Sequence, residues 1–450
     1  MSITIDRRAF LLSGAFGAAL LRAGPSLAQA GGPPPILFVH GNGDHAALWQ
    51  TVVWRFESNG YPADRLVAFN FSNPSARDDD SRPQDNRSST EDQLRELAAQ
   101  IDDVRKRTGA GKVALVGSSR GGNAIRNYVA QGGNAANVSH VVLCGAPNHG
   151  VFAWEASPGS EFNGRGPFLT RLNAQPDEVT AGPAWLTLRS DSNDKYAQPD
   201  GRFVGKPGTP TNVGFDGPEL KGAKNISLGA LDHREVAFHP RAFREMYRFI
   251  VGNEPARIAI APEANVRLSG LVTGLAGSIP TNRPIEGATV EVYAVAPDTG
   301  ARVGAPLWRG TTGASGAWGP VTAPSSAPLE FVVAANGYPI THIYRSPFPR
   351  ASALVHLRPA RALAAADANV GAVVLFSRPR GYFGLPRDVV LLDGKEPSDV
   401  KAGVPTDSVS TLRIAEFADR PVVAQFNDER IVCRPWPARE NRQTIAELTF

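Results

Sequence analysis

A chain of 450 residues exceeds one ordinary domain, and two or three are expected. Its hydrophobic fraction of 42% lets each bury a core, while a net charge of +4 with no long basic run gives nucleic-acid binding no footing. The two cysteines, Cys144 and Cys433, exclude a disulfide framework, and Cys144 sits in the apolar run "VVLC" as a core residue.

The first segment is "DRRAFLLSGAFGAALLRAGPSLAQA". Paired arginines, an apolar stretch and Ala28-Gln29-Ala30 make an n-region, an h-region and a small-residue cleavage site. Arg7-Arg8 followed by Phe10-Leu11 resembles a twin-arginine export signal. Gly14, Gly17, Arg22 and Gly24 interrupt the stretch before a span of about twenty apolar residues is reached. The expectation is a cleaved leader over 1–30 and an exported protein, periplasmic or secreted, with no transmembrane segment once mature.

From Pro35 to Glu254, strand-length apolar runs alternate with amphipathic helices. "ILFVHG" reads as a strand, and a helix follows with Asp44 as cap and Leu48, Val52 and Phe56 on one face. "RLVAFNF" is the next strand. After a polar loop, Ser88 and Glu91 read as a capping box for a helix lined by Leu94, Leu97, Ala98, Ile101 and Val104. "KVALV" is a strand, and Ala124, Ile125, Tyr128 and Val129 mark the helix after it. "SHVVLCG", "AWLTLRS" and "AKNISLG" complete the strands, and Phe243, Met246, Tyr247 and Ile250 mark the last helix. This alternation gives a parallel sheet covered on both faces, a catalytic domain over 31–254. Beyond Glu254 the runs are short, alternating and β-branched, as in "VRLSGLVTG" and "ATVEVYAV". They read as a β-sandwich domain over 255–361 and a second β-rich domain over 362–450, or one continuous β-region.

Gly117-Ser118-Ser119-Arg120-Gly121 fits G-x-S-x-G, with Ser119 central at a strand-to-helix corner. A serine hydroxyl becomes a nucleophile only with a base, an acid to orient it and donors for the oxyanion. In the fold carrying this turn, the order is serine, acid, histidine. His140 precedes a strand at the wrong end of the sheet, His149 comes too early for an acid to intervene, and His342 and His356 lie in the β-region. His239 precedes Pro240 and opens a helix, so His233, in "LGALDHREVAF", is favoured as the base. The acid belongs in "WLTLRSDSNDKY", with Asp194 favoured and Asp191 the alternative, while Asp232 points away from its neighbour. Backbone N–H groups of Arg120 and, from "FVHGNGDH", of Asn42 are the expected oxyanion hole, with His40 bracing that loop. Such chemistry needs no metal and no cofactor.

"FVHGNG", "GSSRGG", "GAPNHG" and the late "DH" together resemble secreted bacterial lipases and esterases of the α/β-hydrolase superfamily, over Pro35 to Glu254. "ALDHREVAFHPRAFREMYRFIVGNEP", followed by an all-β tail, is similar to archaeal-type long-chain lipases whose C-terminal β-domain binds lipid. Two positions depart from the pattern: Ser118 where many members have histidine, and Arg120 where they have a neutral residue. Since Arg120 would act through its backbone N–H, replacing its side chain is expected to cost little in turnover. The resemblance implies an α/β-hydrolase domain followed by an all-β, sandwich-like region. It implies a Ser119–Asp194–His233 triad and hydrolysis of an acyl ester or lipid through an acyl-enzyme. Phe152, Trp154, Phe162, Phe168 and Leu172, in the long segment after Val151, would line an acyl pocket, form a lid or simply cover the core. The competing functions are a polyhydroxyalkanoate-type polyester depolymerase and an inactive scaffold used for binding. The β-region holds no candidate catalytic group. A chain ending near Glu254 is expected to keep the site, with the β-region left for lipid or polymer contact.

Overall fold

The computed structural model describes residues 32–367 and 369–450, so the leader expected over 1–30 lies outside the described residues. The first strand, β1 (Ile36–Val39), is followed by β2 (Leu66–Phe69), β3 (Val113–Ser118), β4 (Val138–Cys144), β5 (Ala184–Arg189) and β6 (Lys224–Ser227). They form one sheet in the order β2-β1-β3-β4-β5-β6, with every pair parallel. Among the described residues six α-helices accompany it: α1 (Gln50–Ser58), α2 (Thr90–Thr108), α3 (Arg120–Ala130), α4 (Pro167–Leu172), α5 (Glu235–Phe238) and α6 (Pro240–Val251).

Strand periodicity sends alternate side chains to opposite faces. Ile36, Phe38, Ala114 and Val116 pack with Val52, Phe56, Phe243 and Met246 of α1 and α6. Leu37, Val39, Val113 and Leu115 pack with Leu97, Ile101, Ile125 and Tyr128 of α2 and α3. Because both faces are covered, all of β3 is buried, which is why its sequence is apolar from Val113 to Val116. Truncating a fully buried Leu, Ile or Phe of this kind to alanine costs roughly 2–5 kcal/mol.

Two helix starts differ from the sequence reading. The capping box of α2 is one residue later: Ser89 accepts from the Asp92 N–H, and the Asp92 carboxylate accepts from the Ser89 N–H. "SSTED" satisfies either register, and Ser88 is engaged elsewhere, donating to the Asn73 carbonyl. Before α1 a 3₁₀ turn, Ala46–Trp49, is capped by His45, whose Nδ1 accepts from the Ala47 N–H. Asp44 instead accepts from the His45 N–H and lies 3.8 Å from the Arg234 guanidinium.

The C-terminal region is β throughout its sheets. Its largest has seven strands in the spatial order Trp308–Thr311, Thr289–Ala294, Leu329–Ala334, Ile340–Arg345, Arg442–Glu447, Ala372–Ser377, Val409–Ile414. The C-terminal strand Arg442–Glu447 runs parallel to both neighbours and the other pairs are antiparallel, so the sheet is mixed. It joins strands from before and after residue 362. Residues Pro34–Phe450 form one compact unit. Trp54 of α1 is buried in the β-region's core, its Nε1 donating to the Ala351 carbonyl at 2.8 Å and its ring edge-on to Phe348 at 6.2 Å. Cys144 and Cys433 are buried free thiols.

Candidate active site

Ser119 stands between β3 and α3 with φ 51° and ψ −124°, a conformation an L-residue adopts only under constraint. A Cβ on Gly121 would sit 2.5 Å from the His40 carbonyl oxygen, and one on Gly117 2.8 Å from the Gly122 nitrogen. Neither position tolerates a side chain, which is the physical content of the two flanking glycines. The Ser119 N–H donates to the Cys144 carbonyl at 2.8 Å, fixing the turn to β4. Ser118 is the last residue of β3 and is buried.

The turn after β6 carries His233. Its Nδ1 lies 2.8 and 3.0 Å from the two carboxylate oxygens of Asp194. Both side chains are buried, so the pair is shielded from water. Asp194 is itself held by the Tyr196 N–H at 2.8 Å, because it caps the 3₁₀ turn Lys195–Ala197. The Tyr196 ring meets the imidazole edge-on at 4.7 Å. Among the described residues, His233 Nε2 is buried without a hydrogen-bond partner. Asp191, the alternative acid, does not reach His233. It accepts from the N–H groups of Ala230 and Asn193 at 2.8 and 3.0 Å. Burial opposes its charge, but those two bonds, with further ones from the Asn193 and Ser190 side chains, hold the carboxyl below its ordinary range.

Ser119 and His233 line one cavity of about 280 Å³, together with Gly41, Asn42, Val151, Phe152, Phe162, Tyr196, Val204 and Tyr382. Gly41 comes so close that a Cβ there would lie 3.0 Å from Ser119 Cβ. Asn42 is pinned by its side chain, which accepts from the Ala76 N–H at 2.7 Å. His40 braces the same loop: Nδ1–H donates to the Gly41 carbonyl at 2.9 Å and Nε2 accepts from the Phe71 N–H at 3.0 Å. Burial pushes its pKa down to about 4, so it stays neutral. Of the aromatic set after Val151, Phe152 and Phe162 face the cavity and Trp154 stacks on Phe152 at 4.5 Å. Phe168 is buried on α4 away from it, and the Leu172 carbonyl accepts from Arg126. His239 caps α6, His149 bridges to Glu178 at 3.1 Å, and His342 is buried against Glu330 at 2.7 Å.

Two features escape the sequence reading. The Arg120 side chain is fully buried and binds Glu161 through two bonds of 2.6 Å, as well as the Pro74 carbonyl and Ser88. Burial pushes the Glu161 carboxyl up, against the guanidinium that pulls it down. The side chain is therefore a buried anchor, and its loss bears first on stability. Arg120→Ala strands Glu161 in the interior and is expected to cost roughly 3–5 kcal/mol of stability, with Glu161→Gln recovering part of it in the double variant. Urea melts of the three proteins check this, and a single variant that melts with the wild type refutes it. The second feature is Tyr382, a residue of the β-region that lines the cavity. Ser119, Asp194 and His233 all lie within 31–254, while one wall residue of their cavity comes from beyond it.

Residues 34–180 match the alpha/beta hydrolase fold family, and residues 264–362 match the Lipase C-terminal domain. No curated protein matches the chain in sequence. Among solved structures, Aspergillus fumigatus lipase B is similar at 16% identity and TM-score 0.35, over 50% of this chain and 54% of that one. Bacillus licheniformis lipase BlEst2 in its propeptide form is similar at 14% identity and TM-score 0.35, over 89% and 96%. Paleococcus ferrophilus monoacylglycerol lipase is similar at 14% identity and TM-score 0.33, over 49% and 96%. The chain thus carries a parallel-sheet domain that matches the alpha/beta hydrolase fold, followed by a domain that matches the Lipase C-terminal domain.

Proposed function

We propose that the protein is a serine carboxylic-ester hydrolase that cleaves acyl esters through an acyl-enzyme on Ser119. One observation carries this reading: His233 is clamped at Nδ1 by Asp194, its Nε2 has no hydrogen-bond partner among the described residues, and the residue lines the same cavity as the strained Ser119. In that arrangement Nε2 takes the serine proton as Oγ attacks the ester carbonyl, and returns it to the departing alcohol. Asp194 holds the tautomer with a proton on Nδ1 and stabilises the imidazolium. The N–H groups of Arg120, at the start of α3, and of Asn42 take the oxyanion. Water then repeats the sequence on the acyl-enzyme. Val151, Phe152, Phe162 and Val204 give the cavity apolar walls suited to an acyl chain. Export by the N-terminal leader, and contact of the β-region with a lipid or polymer surface, belong to the same proposal. Exposed Leu307, Val409 and Phe417 support the contact.

A chain-length series of p-nitrophenyl esters tests it, with tributyrin, long-chain triglyceride and polyhydroxybutyrate beside it. Each methylene buried in an apolar pocket contributes about 0.8 kcal/mol. kcat/KM is therefore expected to rise about fourfold per methylene from acetate until the cavity is full, then level off. A flat series from acetate onward would exclude an acyl-binding cavity, and activity confined to polyhydroxybutyrate would make the protein a depolymerase.

A further inference from the structure

The histidine turn has an anchor that lies far along the chain. Asp232 and Glu235 form a reciprocal capping box around His233: Asp232 Oδ1 accepts from the Glu235 N–H at 2.8 Å, and Glu235 Oε2 accepts from the Asp232 N–H at 2.7 Å. Asp232 Oδ1 also accepts from the Arg234 N–H at 2.7 Å. Both carboxylates are buried, and both are gripped by one guanidinium of the β-region. Arg378 places Nη1 2.9 Å from Asp232 Oδ2 and Nη2 2.6 Å from Glu235 Oε1. The Arg378 side chain is itself buried, with its guanidinium carbon 4.1 Å from the centre of the Phe426 ring. Asp232 Oδ2 further accepts from the Tyr382 N–H at 2.8 Å, and Tyr382 lines the cavity.

We propose that Arg378 is a positioning residue for His233, holding the capping box so that Nε2 stays aimed into the Ser119 cavity. The inference rests on the reading of His233 as the base. Its logic is the division of labour among the charges. Glu235 keeps a second cation when Arg378 is lost, because Arg387 binds it at 2.7 Å. Asp232 has its ion pair with Arg378. Burial, and then the charge of Glu235 beside it, push the Asp232 carboxyl up, while Arg378 pulls it down. Without Arg378 the box loses its charged half on the Asp232 side, one residue from the imidazole. Lysine cannot replace the grip fully, since one ammonium lacks the planar fork that spans two carboxylates. The β-region thus acts on the chemistry through a rigid contact and not only on the substrate.

The test uses the full chain with Arg378→Ala and Arg378→Lys. A misplacement of about 1 Å at a catalytic group costs on the order of 10²-fold. The alanine variant is expected to lose about that in kcat with KM little changed, and the lysine variant to lose less. Arg378 also lines an open cavity of about 840 Å³ with Arg387 and Glu235, through which a small cation can reach the vacated place. Guanidinium chloride in the millimolar range is therefore expected to restore kcat in the alanine variant, a rescue that a globally loosened protein would not show. An independent readout is the low-field proton signal of His233 Nδ1–H, assigned by its loss in His233→Gln. It should be present in the wild type and broadened in Arg378→Ala. If the alanine variant does not fold, the lysine variant decides by the same kcat and proton signal. Unchanged kcat together with an unchanged proton signal overturns the inference. So does a loss that neither lysine nor guanidinium relieves while that signal is intact. A wild type that hydrolyses no ester defeats the catalytic reading, and the proton signal still decides whether Arg378 positions the histidine.

Discussion

Ser119→Ala is expected to lower kcat for ester hydrolysis by roughly a factor of 10⁶, leaving the residual 10³–10⁴-fold advantage over water that oxyanion donors and binding supply. The fold should survive, because alanine keeps the Cβ and the N–H that bonds the Cys144 carbonyl. Its thermal melt should match the wild type. Ser118→Ala is the paired control. Both serines line the cavity, but Ser118 ends β3 in extended backbone, whereas Ser119 occupies the strained apex of the turn. Most activity should remain in Ser118→Ala. Should Ser118→Ala be the inactive variant instead, the nucleophile lies one residue earlier and the elbow is misassigned.

Asp194→Asn should cost roughly a factor of 10⁴ in kcat, with little change in KM. Asparagine is nearly isosteric and still accepts the Tyr196 N–H, so the 3₁₀ turn keeps its cap. What is lost is the carboxylate that holds the Nδ1 proton and balances the imidazolium. Asp191→Asn should lower activity only mildly. Its carboxylate serves the N–H groups of Ala230 and Asn193, so any effect should appear in stability first. A reversed order of the two variants would move the acid role to Asp191 despite the geometry.

The elbow was legible because its requirement is local. Two glycines two residues from a serine, after an apolar run, state a steric fact about one turn. His233 and Asp194 were legible through chain order and through strand ends, since functional groups of a parallel sheet gather beyond its carboxyl edge. The Asp232–Glu235 box was also written in the sequence, as "DHRE", but a capping box is silent about what grips its carboxylates. Arg378 lies 146 residues from Asp232, in a stretch with no motif, and only packing brings the two together. Arg120 and Glu161 were hidden for the same reason, being 41 residues apart with the acid in an irregular loop. Strand alternation marked the region after Glu254 as β-sheet. It did not show that the last strand would run parallel to both neighbours, because direction is set by connection and not by side-chain period. The start of α2 slipped by one residue because two serines and two acids offer equivalent caps. Tertiary contacts chose between them, with Ser88 bonded to the Asn73 carbonyl and to Arg120.

The most direct test of the central claim is covalent labelling of the folded full-length protein with a fluorophosphonate, followed by peptide mapping. The account predicts a single adduct, on Ser119, formed rapidly in the wild type, slowly in Asp194→Asn and not at all in Ser119→Ala. An adduct on Ser118, or a folded wild-type protein that takes no label, would contradict it.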